Sequence, residues 1–131
     1  MLLLGASGAG KSDLLLRLLD HGFDLVADDR VDVVDGVARP PAALAGLLEV
    51  RGLGIVRIGH VPEARLALAV QLVPYQASAP EPSRLPHPAR HAPTNLPLVT
   101  VDPATPSAPA RIALALDCAT GRVRQLAGAF A

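Results

Sequence analysis

The residues best placed to do chemistry come almost at once: "GASGAGKS", Gly5 to Ser12, satisfies G-x-x-x-x-G-K-[ST] in full. Its glycines permit a turn tight enough for backbone N–H groups to converge inward, and such a cradle takes phosphate oxygens. Lys11 can reach the β and γ oxygens of a nucleotide, and the Ser12 hydroxyl can join the shell of a bound Mg²⁺. Gly5, Ala6, Ser7, Gly8, Ala9, Gly10, Lys11 and Ser12 are therefore the candidate nucleotide-binding residues. The loop does not choose a reaction, because ATPases, GTPases and kinases share it.

Two further groups carry reactive side chains. Asp28 and Asp29 begin sixteen residues beyond Ser12, at the end of an expected strand Leu25–Ala27. Ligands of open α/β sheets gather outside the carboxyl ends of strands. One carboxylate could take a proton from an attacking hydroxyl while the other holds Mg²⁺-bound water. The pair could equally include a metal-holding carboxylate without a role toward the acceptor, or be two solvated turn residues. Further on, "LLEVRGLGIVRI" runs from Leu47 to Ile58. Glu49 and Arg51, two apart on an expected strand, would share a face. They suit metal binding beside a bulky neighbour, or an ordinary surface ion pair followed by a bulge. Cys118 reads as a small core residue, and the four histidines show no metal-ligand spacing, so no zinc is expected.

These groups need elements to position them. Leu2 to Gly5 reads as the end of a buried strand, and a helix opens at Lys11 or Ser12 with Asp13 in its first turn. Leu15, Leu18 and Leu19 form its apolar stripe, widened by Leu14 and Leu16. Gly22 is a C′ terminator. Val31–Val34 reads as a strand and Asp35-Gly36 as a two-residue hairpin turn, with Pro40 and Pro41 ending the return strand. "AALAGLLEV" holds a short helical turn, and Gly52 and Gly54 bend the strand-like stretch around them. "RLALAVQLV" suits a strand covered on both faces. Pro74 to Pro109 holds ten of the thirteen prolines and reads as an extended excursion. Arg111–Asp117 reads as a last core strand.

Length and composition bound the whole. A chain of 131 residues is most simply one domain, 1–131. Only Phe23, Tyr75 and Phe130 are aromatic, so the core must be aliphatic. Twelve basic residues balance twelve acidic ones, which gives no global attraction to nucleic acid or an anionic membrane. A single cysteine suits a reducing cytoplasm. No apolar run approaches the ~20 residues of a transmembrane helix, so a soluble protein is expected.

"GASGAGKS", "LVADDRVDV" and "LLEVRGLGIVRI", in this order and spacing, resemble the C-terminal catalytic domain of HPr kinase/phosphorylase, most closely its short forms without the N-terminal domain. The resemblance is dense from Leu2 to about Ile58. It implies an α/β, phosphate-loop kinase domain of the HPr kinase and PEP carboxykinase-like type, with a mixed sheet and a helix after the loop. It implies ATP and Mg²⁺ as cofactors, Lys11 in the active site, and Ser12 and Glu49 as Mg²⁺ ligands, Asp29 being a further metal candidate. Asp28 would be the general base toward the acceptor serine, and the acid in the reverse phosphorolysis. Glu49, Val50, Arg51, Gly52, Leu53, Gly54 and Ile55 would face the docking partner, a small HPr-like phosphocarrier protein. Arg84, in "PSRLP", resembles the family's catalytic arginine. A cytoplasmic hexamer is implied by resemblance alone.

This sequence departs from the family in two places. The active-site histidine upstream of the loop strand falls outside it, and the Gly-Arg-Asn stretch tied to phosphorolysis has no clear counterpart around "PSAPARIALAL". The expectation is an ATP- and Mg²⁺-dependent serine kinase. A small-molecule kinase or NTPase, and a catalytically weak ATP-sensing module, stand as alternatives.

Overall fold

The computed structural model describes all 131 residues. In chain order the elements are β1 (Leu2–Leu4), α1 (Lys11–Asp20), β2 (Asp32–Val34), β3 (Val37–Arg39), a 3₁₀ turn (Ala42–Leu44), β4 (Leu47–Val50), β5 (Gly54–Arg57), β6 (Ala64–Arg65), β7 (Ala69–Leu72), β8 (Ala89–His91), β9 (Leu96–Val101) and α2 (Ala108–Ala119). They form two compact units, one of Met1–Lys11 with Ala67–Ala131, the other of Ser12–Leu66.

The first unit is built on a four-stranded sheet of order β1-β7-β9-β8. Its first three strands are parallel and β8 returns antiparallel to β9, so the sheet is mixed, as expected. Between β1 and β9, β7 buries Ala69, Val70 and Leu72 and leaves only Gln71 half-buried, which explains its mostly apolar run: a strand covered on both faces has little solvated side to mark with polar residues. The proline-rich stretch read as an excursion holds two ordered strands, β8 and β9.

Arg111–Asp117 is helix, not strand: α2 spans Ala108–Ala119 and packs against β9. Pro109 sits in its first turn, where a missing N–H costs nothing. Gly121, at φ 78°, ends it, with the Gly121 N–H on the Cys118 carbonyl and the Arg122 N–H on that of Asp117. That pair of bonds is a Schellman closure.

In the second unit, α1 buries Leu14 and Leu18, one turn apart, while Leu16 is exposed. The stripe is thus centred one residue earlier than Leu15 and Leu19 suggest. Gly22, at φ 92°, closes the helix through Gly22 N–H to Leu19 O and Phe23 N–H to Leu18 O, at 3.1 Å each. Asp35 and Gly36 both have positive φ, 51° and 75°, which is the type I′ turn that joins β2 to β3 with Val34 opposite Val37. β6 pairs with β3, and β4 with β5 form a separate hairpin. The expected strand Leu25–Ala27 is absent: Leu25 is buried and its carbonyl accepts a single bond from the Val61 N–H, 2.8 Å, which is one bridge and no ladder.

The buried side chains are almost all Leu, Val, Ile and Ala, with no polar or charged residue among them, matching the aliphatic core that so few aromatics demand. The helical assignment of α2 has a direct test. On a strand Ile112 and Leu114 would share a face. On the helix Ile112 is fully buried and Leu114 is 54% exposed. In urea unfolding, Ile112→Ala should cost about 2–5 kcal/mol and Leu114→Ala no more than about 0.5 kcal/mol. Equal losses would contradict the helix.

Candidate functional site

In the first unit, parallel β1 and β7 bring their carboxyl ends to one edge of the sheet, and the phosphate loop starts there. A Cβ on Gly5 would stand 3.1 Å from the Ala9 Cβ and 3.3 Å from the Leu72 Cβ, so the loop leaves β1 at a crowded point that suits a glycine. Gly8 and Gly10 take φ values of 81° and 96°, conformations an L-side chain resists. The Ala9 N–H closes the intervening turn on the Ala6 carbonyl at 3.0 Å. On the other flank, the Pro103 ring carbons lie 3.4 and 3.5 Å from where a Gly10 Cβ would be. Lys11 opens α1, whose first N–H groups have no partner within the helix, and its Nζ donates to the Gly5 carbonyl at 2.7 Å. A turn of amide donors, a helix start and an ammonium together fit a polyphosphate.

In the second unit one carboxylate joins three parts of the chain. The Ser12 hydroxyl donates to Asp28 Oδ1 at 3.3 Å, and the Glu49 backbone N–H donates to Oδ2 at 3.1 Å. The hairpin makes the second bond available. Ile58 donates to the Gly46 carbonyl, and the register sets Leu48 opposite Val56 and Val50 opposite Gly54. Antiparallel pairs alternate, so Leu47 and Glu49 turn their N–H groups off the hairpin's outer edge. The Ser12 hydroxyl and the Asp28 carboxylate are brought together with the Glu49 backbone, and hydroxyl and carboxylate oxygens are the hard donors that Mg²⁺ takes, usually with only one or two carboxylates and retained water. Asp29 is exposed, and no group of three or more His, Cys, Asp or Glu side chains could hold a metal ion.

Arg51 does not share a strand face with Glu49. It lies in the β4–β5 turn, where Gly52 at φ 84° and a 3.0 Å bond from Leu53 N–H to Val50 O mark a type II turn. At this tip Leu53 and Ile55 are 73% and 72% exposed. Val50 and Leu53 border an open groove of about 530 Å³ together with Leu16, Leu19, Leu48 and Val56. Arg84 is exposed in the loop between β7 and β8. The bond from the Glu49 amide to Asp28 is the link that sequence reasoning missed. Motifs name side chains, and this contact uses a backbone group set by strand register.

The HPr Serine kinase C-terminal domain matches residues 1–92. The chain belongs to this family. The match takes in the phosphate loop, Asp28 and the β4–β5 hairpin. The chain is 52% identical over 62 residues to an HPr kinase/phosphorylase of Clostridium novyi, covering 44% of this chain and 20% of that protein. It is 43% identical over 96 residues to one of Aromatoleum aromaticum, covering 63% and 30%. It thus spans between 20% and 30% of the length of these curated relatives. The solved structure of the Hpr(Ser) kinase/phosphatase from Coxiella burnetii superposes with a TM-score of 0.69 at 21% identity, over 92% of this chain and 87% of that one. That likeness confirms the α/β fold.

The Asp28 link predicts a pattern in amide exchange. Asp28→Ala should speed exchange at the Glu49 amide, leaving those of Leu48 and Val50 protected inside the hairpin, and Asp28→Asn, which keeps an acceptor oxygen, should restore much of the protection. Uniform loss of protection along β4, or none, would show that the carboxylate does not hold this edge.

Proposed function

We propose that this member of the HPr serine kinase family is an ATP- and Mg²⁺-dependent protein serine kinase, acting in the cytoplasm on a small HPr-like phosphocarrier protein of a phosphotransferase system. The observation that carries the proposal is the Asp28 carboxylate, held by the hydroxyl of the very residue that ends the phosphate loop.

The loop amides of Gly5–Lys11 would bind the phosphates, and Lys11 would exchange the Gly5 carbonyl for a phosphate oxygen, placing its charge where negative charge builds during transfer. Ser12 and Glu49, with Asp29 as a further candidate, would hold Mg²⁺, which when bound would supply positive charge to offset that of the phosphates. Asp28 would orient the acceptor seryl hydroxyl and accept its proton as the new O–P bond forms and the bond to ADP breaks. In the reverse direction Asp28 would return that proton. Arg84 would add charge stabilisation. The hairpin tip from Glu49 to Ile55 would meet the carrier, and a hexamer would be the working assembly. A second role for Asp28 is favoured by the same 3.3 Å bond: a carboxylate paired with the loop serine is also placed to hold metal-bound water rather than act as base.

Incubation with labelled ATP, Mg²⁺ and an HPr-type carrier should give phosphoserine on the carrier, and Lys11→Ala should abolish it. Asp28→Asn should lower transfer by at least about 10²-fold with ATP affinity and Mg²⁺ dependence retained. A raised Mg²⁺ requirement in that variant would instead assign Asp28 to the metal. Hydrolysis or transfer without the carrier would point to an NTPase or small-molecule kinase, and ATP binding without turnover to a sensing module. Either result overturns the protein-kinase proposal.

A further inference from the structure

We infer that Pro103, which no motif marks, is a positioning residue for the phosphate loop. This rests on the nucleotide-binding role proposed above. Pro103 is buried just beyond the end of β9, and its ring faces Gly10, with ring carbons 3.4 and 3.5 Å from where a Cβ on that glycine would stand, an ordinary van der Waals spacing. Gly10 is required by its φ of 96°, and the ring is the neighbour that bounds the loop on this side.

The ring itself is held. Val101, the last residue of β9, accepts a bond from the Val73 N–H at 3.0 Å. Asp102 Oδ1 then accepts the Ala104 N–H at 2.9 Å, and the Asp102 carbonyl accepts the Thr105 hydroxyl at 2.9 Å. The Ala108 N–H bonds the Thr105 carbonyl at 3.0 Å as α2 begins. Proline's fixed φ removes what freedom this turn has left. With little room beside Gly5 at Leu72, the end of β7, the loop is bounded from the ends of two neighbouring strands.

Such bracing matters because glycine-rich loops have the most conformational freedom to lose. A loop confined on folding has less to lose on binding, and preorganisation of this kind appears in affinity. The brace would act on ground-state and transition-state phosphates alike, so it belongs in KM rather than kcat.

The test compares the full chain with Pro103→Ala, and uses ATP as the probe. Without nucleotide, amides of Gly8, Gly10 and Lys11 should exchange about three- to tenfold faster in the variant, and the Kd for ATP should rise by a similar factor. Phosphotransfer at saturating ATP should change less than about twofold. Pro103→Val, which restores branched bulk, should recover part of the affinity, and Asp102→Asn, which keeps the Oδ1 acceptor, should match the unsubstituted chain. Unchanged loop exchange and affinity in Pro103→Ala would overturn the inference, as would a lowered Tm with normal affinity, the mark of a merely structural residue. If the unsubstituted chain fails to bind ATP, the kinase proposal falls, and loop exchange still decides whether Pro103 braces the loop.

Discussion

A carboxylate with two donors on it organises the second unit. Asp28 takes the Ser12 hydroxyl on one oxygen and the Glu49 amide on the other, tying the start of α1 and the outer edge of β4 to one residue in a segment without regular structure. Hydrogen bonds to ionised groups are stronger than neutral ones, but these groups are partly or fully exposed and water competes for them. Their main effect is therefore on direction. With both oxygens engaged, the carboxylate cannot rotate freely, and a base or metal-positioning group works only when its lone pairs are aimed.

The phosphate loop obeys a different constraint, steric rather than electrostatic. Gly5 has tight room for a side chain, which its neighbours would have to yield a few tenths of an ångström to admit, whereas Gly8 has open space around it and is needed for its φ of 81°. Substitution at these two glycines is thus costly for separate reasons, crowding in one and backbone strain in the other. Lys11 completes the loop by bonding the Gly5 carbonyl. An ammonium already satisfied in this way gives up one acceptor when it takes a phosphate oxygen, so the exchange conserves hydrogen bonds and the gain comes from charge.

What the sequence made legible was local. The loop, the helix opening at Lys11, the Gly22 stop and the Asp35-Gly36 hairpin are each set by residues within a few positions, through φ restrictions that travel with residue type. The misreadings have physical causes as well. "RIALALD" alternates Leu and Ile with Ala, but alanine is apolar and the best helix former, so the pattern carries two periods at once. Pro109 and Gly121 were the signals that bracketed a helix. In β9, Pro97 argued against a strand. Its pairing with β7 starts only at Leu98, so the missing N–H removes nothing from that ladder. Leu25–Ala27 had strand-like residues and found only the Val61 bridge, since a ladder needs a partner that no local signal announces.

The β4–β5 hairpin shows why its glycine-rich motif cannot be treated as one functional block. Because side chains alternate along a strand, Leu48 and Val50 face one way and Leu47 and Glu49 the other. The register then puts Val56 on the first face, opposite Leu48, and Ile55 on the second, opposite Glu49. The first face, with Leu53, borders the apolar groove; the second carries the acid and an exposed isoleucine. The backbone edge is a third element, since the Glu49 N–H holds Asp28 whatever side chain Glu49 bears. The motif thus layers a groove wall, an acidic face and a hydrogen-bonding edge in four residues of β4, and two-residue periodicity separates them. Replacing the Glu49 side chain removes the acid and leaves the amide in place, so loss of the proposed metal ligand and loss of the Asp28 tether are distinct injuries to the same residue.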